Sequence, residues 1–588
     1  MNSADERNLG PLAGGVMAVV FALGLVVLGV RLYEVQIESS ASFSYAGERQ
    51  SERRVQTAGG RGRILDRNGA VLAGNRRTTA IVCEPAAFQR RTWEATEGEI
   101  SRAVRELAQV TGLPPALTSR QIRRHLELEL ARPLVVWRDV GEQELARFCE
   151  RQRRFPGFSV KDLEDRVYPR GRLAAHLLGF VGWAEAESVA GEGKIDFRER
   201  EWRGRDGLEL YYDEYLRGVA GEKRLIVDAR GFTQRVRTVV VPRRGPDLVL
   251  TLDMGIQQAV ERELAGERGA CVVMDPRNGA VLAMASAPDF DLAGFVPVLT
   301  EETYRRLKDD PSEPLLNRAA NGAYAPGSTF KPVTALAALK AGIPDERIYE
   351  CIGSYVCDGS VLRCARRWGH GELSMTDALK VSCNPFFCAL AVESGTNAVL
   401  SAARAFALGE KTGIDLPAER AGVVPDAAWK SRVYQRDWIE GDLVQLSIGQ
   451  GMLLASPLQM ARLTGAIATG RLVRPHLWRE AAVEERRLPF SERELAVVRE
   501  GMFKVVNAAD GSGVNGGEGV AVAVCGKTGT AEVGAGEKRY KNAWFVAYAP
   551  KERPTVAVAL MIEHGVSGGG TAAPKVARIL QTVFGRKS

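Results

Sequence analysis

From Leu12 to Val30 the chain reads LAGGVMAVVFALGLVVLGV, nineteen positions without a charge. As an α-helix this run is about 28 Å long, close to the hydrocarbon thickness of a bilayer. A cleaved signal peptide is the competing reading. The run is longer than a usual signal core, however, and no A-x-A-like cleavage site follows it; the chain continues Arg31-Leu32-Tyr33-Glu34. The sequence therefore predicts an uncleaved membrane helix over 12–32, preceded by a short tail, 1–11. Local charge does not orient it. Arg7 sits beside Asp5 and Glu6 on one side, and Arg31, Arg49, Arg53 and Arg54 follow on the other.

The other residues have globular composition. Of 588 residues, 45% are hydrophobic and 26% charged, which excludes a disordered, collagen-like or disulfide-stapled miniprotein and suggests two to four domains. The net charge of +7 is spread along the chain with no concentrated basic stripe, so a nucleic-acid binder is not indicated.

After the anchor, Gly59–Ala73 (GGRGRILDRNGAVLA) reads as two short strands around Asp66-Arg67-Asn68-Gly69, with Asn-Gly supplying the positive φ angles of a tight turn. The solution returns at Gly269–Ala285, around Asp275-Pro276-Arg277-Asn278-Gly279. Residues 96–155 carry Arg, Glu and Leu at helical spacing, and the composition up to 245 suits an elongated mixed module without visible chemistry. A Pro/basic linker, Val241-Pro242-Arg243-Arg244-Gly245-Pro246, marks a boundary. Beyond it come a strand hairpin, a long helical middle, strands over Val520–Glu532, Asn542–Pro550 and Thr555–His564, and a last helix, Ala573–Phe584. Early and late strands most economically share one antiparallel sheet, with the helical middle inserted as a second lobe and a cleft between.

Three short motifs fall around that cleft. In GAYAPGSTFKPVTALAALKAG (Gly322–Gly342), Ser328 and Lys331 lie three apart at the start of a helix. A serine hydroxyl is a poor nucleophile until a base takes its proton, and a desolvated lysine can do so. Ser382-Cys383-Asn384 follows a segment with Ser374 as N-cap; by default such groups only cap, but in a cleft they relay a proton and hold a peptide carbonyl. Lys527-Thr528-Gly529-Thr530 closes an alternating strand. There Gly529 would let a substrate backbone approach as an added strand, and Lys527 with the threonine hydroxyls would bind a carboxylate. An earlier Lys411-Thr412-Gly413 sits in a loop and is read as structural.

In this order the three motifs match the set found in penicillin-binding proteins. The wider chain resembles class B penicillin-binding proteins, the penicillin-binding protein 2 subfamily above all, through GRGRILDRNG, RVYPRGRLAAHLLGFVG, GRDGLELYYDEYLRG, NRAANGAYAPGSTFK, WGHGELSMTDALKVSCN, SIGQGMLLASPLQMA and GKTGTAE. The resemblance implies an α+β chain: membrane helix, elongated pedestal (dimerisation-like) domain over 33–245, and a transpeptidase domain over 246–588 made of an antiparallel sheet with helices plus an inserted all-helical lobe. It implies a D,D-transpeptidase acting on peptidoglycan stem peptides during elongation, single-pass in the inner membrane with its N-terminus cytoplasmic and its catalytic domain periplasmic. Ser328 would attack the D-Ala-D-Ala carbonyl and Lys331 accept its proton; Ser382 would pass that proton to the leaving D-alanine, and Asn384 would orient the donor amide. Lys527, Thr528 and Thr530 would bind the terminal carboxylate, and the N–H groups of Ser328 and Thr530 would form the oxyanion hole. Many relatives carry Asp where Asn384 stands. β-Lactams would acylate Ser328, and the implied partners are lipid-linked glycan strands and a SEDS-family glycan polymerase with other elongation-complex proteins.

Five of the nine cysteines, Cys351, Cys357, Cys364, Cys383 and Cys388, fall between 351 and 388 together with His370. Gaps of 13, 6 and 13 join Cys351, Cys364, His370 and Cys383, a donor set for a closed tetrahedral zinc site. The resemblance implies the same, since relatives hold zinc with Asp, Cys and His at matching places. Disulfides such as Cys357–Cys364 or Cys351–Cys364 are the alternative in an oxidising compartment, with free thiols a third. Cys388, Cys83, Cys149, Cys271 and Cys525 are expected in the core. A zinc here would be structural, pinning the loop of the second motif. The acyl-transfer chemistry itself requires no cofactor.

Rival functions are a serine β-lactamase or β-lactam sensor, for which no deacylating group is evident, a division-specific transpeptidase, and a non-enzymatic scaffold that activates a polymerase through 33–245. The WGHG segment and the cysteine set favour elongation over division.

Overall fold

The computed structural model describes residues 10–40, 51–114, 117–129, 132–183, 188–191, 194–199, 201–230, 232–534 and 539–587. Helix α1 (Gly10–Tyr33) covers the apolar run expected to be the anchor. The stretch Gly14–Glu38 has mean hydropathy 2.4 and no buried residue, and among the described residues it is the one single helix long and apolar enough to cross a membrane.

The pedestal is built on a hairpin and a long antiparallel pair. Strand β1 (Glu52–Thr57) leads to β2 (Ile64–Leu65) and β3 (Val71–Cys83), which turn back on each other at the expected place. Only Gly69 of that turn has positive φ, at 87°. Asn68 does not share the strain, because the Asp66 carboxylate accepts the N–H groups of Asn68 and Ala70 and closes the turn from the side chain. Helices α2 (Trp93–Thr111), α3 (Ser119–Leu128) and α4 (Glu142–Arg151) occupy most of 96–155. A strand, β4 (Leu134–Trp137), interrupts them: its Leu-Val-Val-Trp run is β-branched and aromatic, and it pairs with β3 at Ile81↔Trp137. β5 (Phe158–Val167) pairs along β3 from Gly74↔Val167 to Cys83↔Phe158. β6 (Gly221–Val227) lies between β1 and β7 (Thr233–Val240).

Pedestal and catalytic unit share both a strand pair and a core. Leu248 pairs in parallel with Ile64, and one hydrophobic cluster runs from Leu72, Tyr168 and Leu177 to Leu250, Phe290 and Leu336. Buried or half-buried polar ties cross the same seam. His176 Nε2 meets the Pro314 carbonyl at 2.7 Å, and the Tyr212 hydroxyl donates to Asp415 at 2.8 Å.

The catalytic unit is centred on five antiparallel strands: β8 (Gly269–Met274), β9 (Val281–Ala287), β10 (Cys525–Val533), β11 (Tyr540–Ala549) and β12 (Val556–Ile562). Their order is β9-β8-β12-β11-β10, so early and late strands form one sheet as expected. β10 begins at Cys525 rather than Val520, because Val520 instead bridges to Arg586 near the C-terminus. Both faces are covered. Trp544, Val546 and Tyr548 face the helical lobe; Phe545 and Ala547 face α5 (Met254–Leu264) and the final helix, α6 (Ala573–Phe584). Cys83, Cys271, Cys388 and Cys525 are buried, whereas Cys149 is exposed: it sits on the outer face of α4, whose buried residue is Phe148.

Candidate active site and metal centre

Pro326-Gly327 stops the chain after a buried loop, and Gly327 adopts φ 56°. A 3₁₀ turn, Gly327–Phe330, then feeds the helix Lys331–Lys340. Ser328 thus sits on the turn before the helix, half-buried, while Lys331 opens the helix and is fully buried. The Lys331 ammonium does not hydrogen-bond to Ser328. It donates to the Ser382 carbonyl (2.7 Å), the Ser382 hydroxyl (3.3 Å) and Asn384 Oδ1 (2.7 Å). Burial lowers its pKa to about 8, against the raising influence of Cys383, Cys388 and Cys364.

Ser374 caps the helix Met375–Lys380 as expected, and the chain then turns sharply at Ser382, which has φ 57°. That left-handed conformation costs a non-glycine residue on the order of 1–3 kcal/mol. It aims the Ser382 hydroxyl at both lysines: Lys527 Nζ donates to it at 2.8 Å. Lys527 is also fully buried, and burial together with the neighbouring Lys331 charge holds its pKa well below the ordinary range. One serine oxygen therefore joins the two lysines. The Asn384 amide continues the chain of contacts, accepting from Lys331 and donating through Nδ2 to the Arg363 carbonyl at 3.0 Å.

Strand β10 places Lys527 opposite Val546 and Gly529 opposite Trp544. The space that a Cβ on Gly529 would take is already occupied. A Cβ there would lie 2.8 Å from Thr329 Cγ2 and 2.9 Å from the Pro326 carbonyl, so the missing side chain admits the nucleophile turn itself. Gly327 answers from the other side, 3.1 Å from the Thr530 carbonyl carbon by the same measure. The Thr528 hydroxyl lies 3.0 Å from Ser512 Oγ, and Thr530 Oγ1 accepts from the Gly568 N–H at 3.2 Å.

Two contributors escape motif reading. Ser512, in a Gly-rich loop, joins Thr528 to the Lys380 carbonyl. Gly449, within SIGQG, accepts the Gly327 N–H at 2.8 Å, and a Cβ on it would meet the Gly327 oxygen at 2.0 Å. The clue was available: a glycine doublet around Gln450 marks backbone approaching backbone. The second Lys-Thr-Gly stays structural, with Thr412 and Gly413 N–H groups held by Glu419.

Beside Ser382 the four predicted ligands converge. The ligand atoms of Cys351, Cys364, His370 and Cys383 all lie within 4.8 Å of one another. His370 Nδ1 is 3.7 Å from Cys351 Sγ and 3.4 Å from Cys364 Sγ, and the Cys364 and Cys383 sulfurs are 4.0 Å apart. Zn–S bonds of about 2.3 Å separate tetrahedral ligands by about 3.7 Å, so the set fits a zinc ion. Contact with Cys383 holds the Cys364 thiol below its ordinary range. Cys357 stands apart, with its sulfur 3.3 Å from Glu440, and no cysteine forms a disulfide.

A half-buried serine three residues before a buried, desolvated lysine, with a second buried lysine on the neighbouring edge strand, is the residue set of an acyl-transfer enzyme. Comparison with known proteins agrees. Residues 269–581 match the penicillin-binding protein transpeptidase domain, and 56–250 match the penicillin-binding protein dimerisation domain. The peptidoglycan D,D-transpeptidase MrdA of Acinetobacter baumannii is 32% identical over 94% of this chain and 85% of its own. That of Escherichia coli K12 is 32% identical over 94% and 91%. Among solved structures, the Helicobacter pylori PBP2–MreC complex is similar with a TM-score of 0.77 and 27% identity, covering 91% of this chain and 99% of that one. Pseudomonas aeruginosa PBP2 bound to WCK 5153 gives 0.67 and 27%, over 91% and 98%. The chain belongs to the penicillin-binding protein transpeptidase family.

Proposed function

We propose that Ser328, Lys331, Ser382 and Asn384, with Lys527, Thr528, Gly529 and Thr530, carry the serine acyl transfer of a peptidoglycan D,D-transpeptidase. The elongation branch is supported by MrdA relatives that align along nearly the whole chain. Neutral Lys331 takes the Ser328 proton as the hydroxyl attacks the carbonyl of a D-Ala-D-Ala terminus. Backbone N–H groups of Ser328 and Thr530 receive the oxyanion. Ser382 passes the proton to the departing D-alanine, Lys527 with Thr528 and Thr530 binds the terminal carboxylate, and an amine from a neighbouring strand then takes the acyl group. A β-lactam presents the same carbonyl and stops at the acyl-enzyme. The observation that carries this reading is the Ser382 hydroxyl, 3.3 Å from Lys331 Nζ and 2.8 Å from Lys527 Nζ. Gly529 seats the nucleophile turn on its Cβ side.

Incubation with benzylpenicillin should add one penicillin mass to the peptide bearing Ser328, and Ser328→Ala should abolish it. An adduct elsewhere overturns the assignment.

The reading extends to a structural zinc held by Cys351, Cys364, His370 and Cys383, which would fix the Ser382–Asn384 turn. Purified protein should then contain about one zinc per chain by elemental analysis, and a chelator should lower both its thermal midpoint and its acylation rate. Metal-free protein that acylates at full rate refutes the zinc role. The anchor and pedestal support a single-pass inner-membrane protein with the catalytic unit outside. There it would work with a SEDS-family polymerase and elongation-complex proteins, as expected from relatives solved with MreC and within a peptidoglycan synthase complex.

A further inference from the structure

The loop between Cys364 and His370 has no role in the reaction described above, yet it is unusually well held. Its two ends meet in the cysteine–histidine cluster, where Cys364 Sγ is 3.4 Å from His370 Nδ1. Its flank lies backbone to backbone on 351–353: a Cβ on Gly353 would be 2.1 Å from the Arg367 carbonyl, and one on Gly369 would be 1.9 Å from that of Cys351. With the backbone pressed inward, the side chains point out. Arg363, Arg366 and Arg367 are exposed, and Trp368 is 84% exposed. Among the described residues none of the three guanidinium groups has an ion-pair partner; Arg367 rests on the Trp368 ring at 5.3 Å. Of the acidic residues nearest in sequence, Asp358 accepts the Gly441 N–H at 2.8 Å, and Glu372 lies opposite Glu350 across the strand pair Tyr349–Cys351 and Gly371–Leu373.

This basic rim begins at the active site. The Arg363 carbonyl accepts from Asn384 Nδ2, and Oδ1 of the same amide accepts a hydrogen bond from Lys331. Arg366 to Trp368 follow three to five residues later, so they lie within about 17 Å of that carbonyl. A donor peptide bound with its terminal D-Ala-D-Ala over Ser328 extends two to three residues over a similar span. Peptidoglycan stem peptides are anionic there, carrying free carboxylates upstream of the two D-alanines.

We propose that Arg366 and Arg367, set by the Cys364–His370 loop and the Trp368 ring, form a subsite for a carboxylate of the donor stem peptide upstream of the scissile bond. Unpaired guanidinium groups with a fixed backbone favour such a group by charge and by paired hydrogen bonds. The proposal rests on the acyl-transfer site at Ser328, and its test separates the two.

The test uses the full-length chain in detergent and two thioester D-alanyl donors, one with a free carboxylate upstream of the reacting residue and one with the carboxamide. The wild type should use the carboxylate donor with a kcat/KM roughly ten-fold above the amide, mostly through KM, as expected for charged contacts at a partly exposed site. Arg366→Gln/Arg367→Gln should bring that ratio near one, and Arg366→Lys/Arg367→Lys should restore part of it. A ratio unchanged by the glutamine pair overturns the subsite. An equal loss on both donors does so too, since that is a folding effect. Failure of penicillin to label Ser328 in the same preparation would instead refute the catalytic assignment.

Discussion

At Lys331 the chemistry depends on which way one proton lies. A lysine in water is cationic at neutral pH and useless as a base; burial brings this one to about 8. The sign follows directly. The neutral amine is the active form, so the rate of penicillin acylation should rise about ten-fold per pH unit below 8 and level off above it. Lys331→Ala should lose about two to four orders of magnitude in acylation rate and the titration with it. A stopped-flow pH profile from 6 to 9 checks both, and a profile flat across that range contradicts the assignment. The sequence shows the lysine three residues after the serine, and that spacing was legible. Its hydrogen-bond partners were not, because Ser382 and Asn384 come from 51 and 53 residues away and meet it only in the folded lobe. The packing of the nucleophile turn against Gly529 was hidden for the same reason: a missing side chain is visible in sequence, but what fills the space is tertiary.

Among elements, the contrast is between strands that announce themselves and motifs that do not explain themselves. The central strands were legible because Gly-bounded runs of Val, Ala and Met leave no other economical burial. The stretches GRGRILDRNG, RVYPRG and GRDGLELYYDEY showed no chemistry, and the structure shows what joins them. Arg61 and Arg166, both buried, each bond to Glu209 at 2.7 Å; Arg61 also reaches Asp213 at 2.7 Å, and the Tyr168 hydroxyl meets Glu209 at 3.3 Å. The network locks the β2–β3 hairpin to the short helix Gly207–Tyr211. Long-range charge pairing has no sequence period, so only its members could be seen. Breaking such a set from one side leaves buried charge uncompensated, which costs about 3–5 kcal/mol. Glu209→Gln should therefore lower the thermal midpoint of the purified protein by calorimetry, far more than Arg63→Gln, whose partner Asp247 is at the surface. Equal shifts in the two variants would show that the network adds no stability.

At the scale of the whole molecule, pedestal and catalytic unit share one core and a strand pair, so the seam between them bears on the stability of both. Its core is continuous, but one tie is sensitive to protons. His176 is buried, touches the Pro314 carbonyl at 2.7 Å and packs edge-on to Phe290, with ring centroids 5.1 Å apart. Burial drives its pKa down to about 4. The folded form therefore prefers the neutral ring, while an unfolded chain takes up the proton near pH 6.5. The contribution is whole above 6.5, falls as the pH drops through that window, and is gone below about 4. A shift of that size corresponds to about 3 kcal/mol. Carboxylates titrate in the lower part of the same range, so the wild-type slope alone cannot identify the group. The diagnostic quantity is the difference between wild type and His176→Gln, which keeps a donor to Pro314 but cannot ionise. That difference in thermal midpoint should shrink from pH 7 to pH 4.5 as the wild type loses its advantage. A constant offset would mean that the seam does not feel the His176 proton.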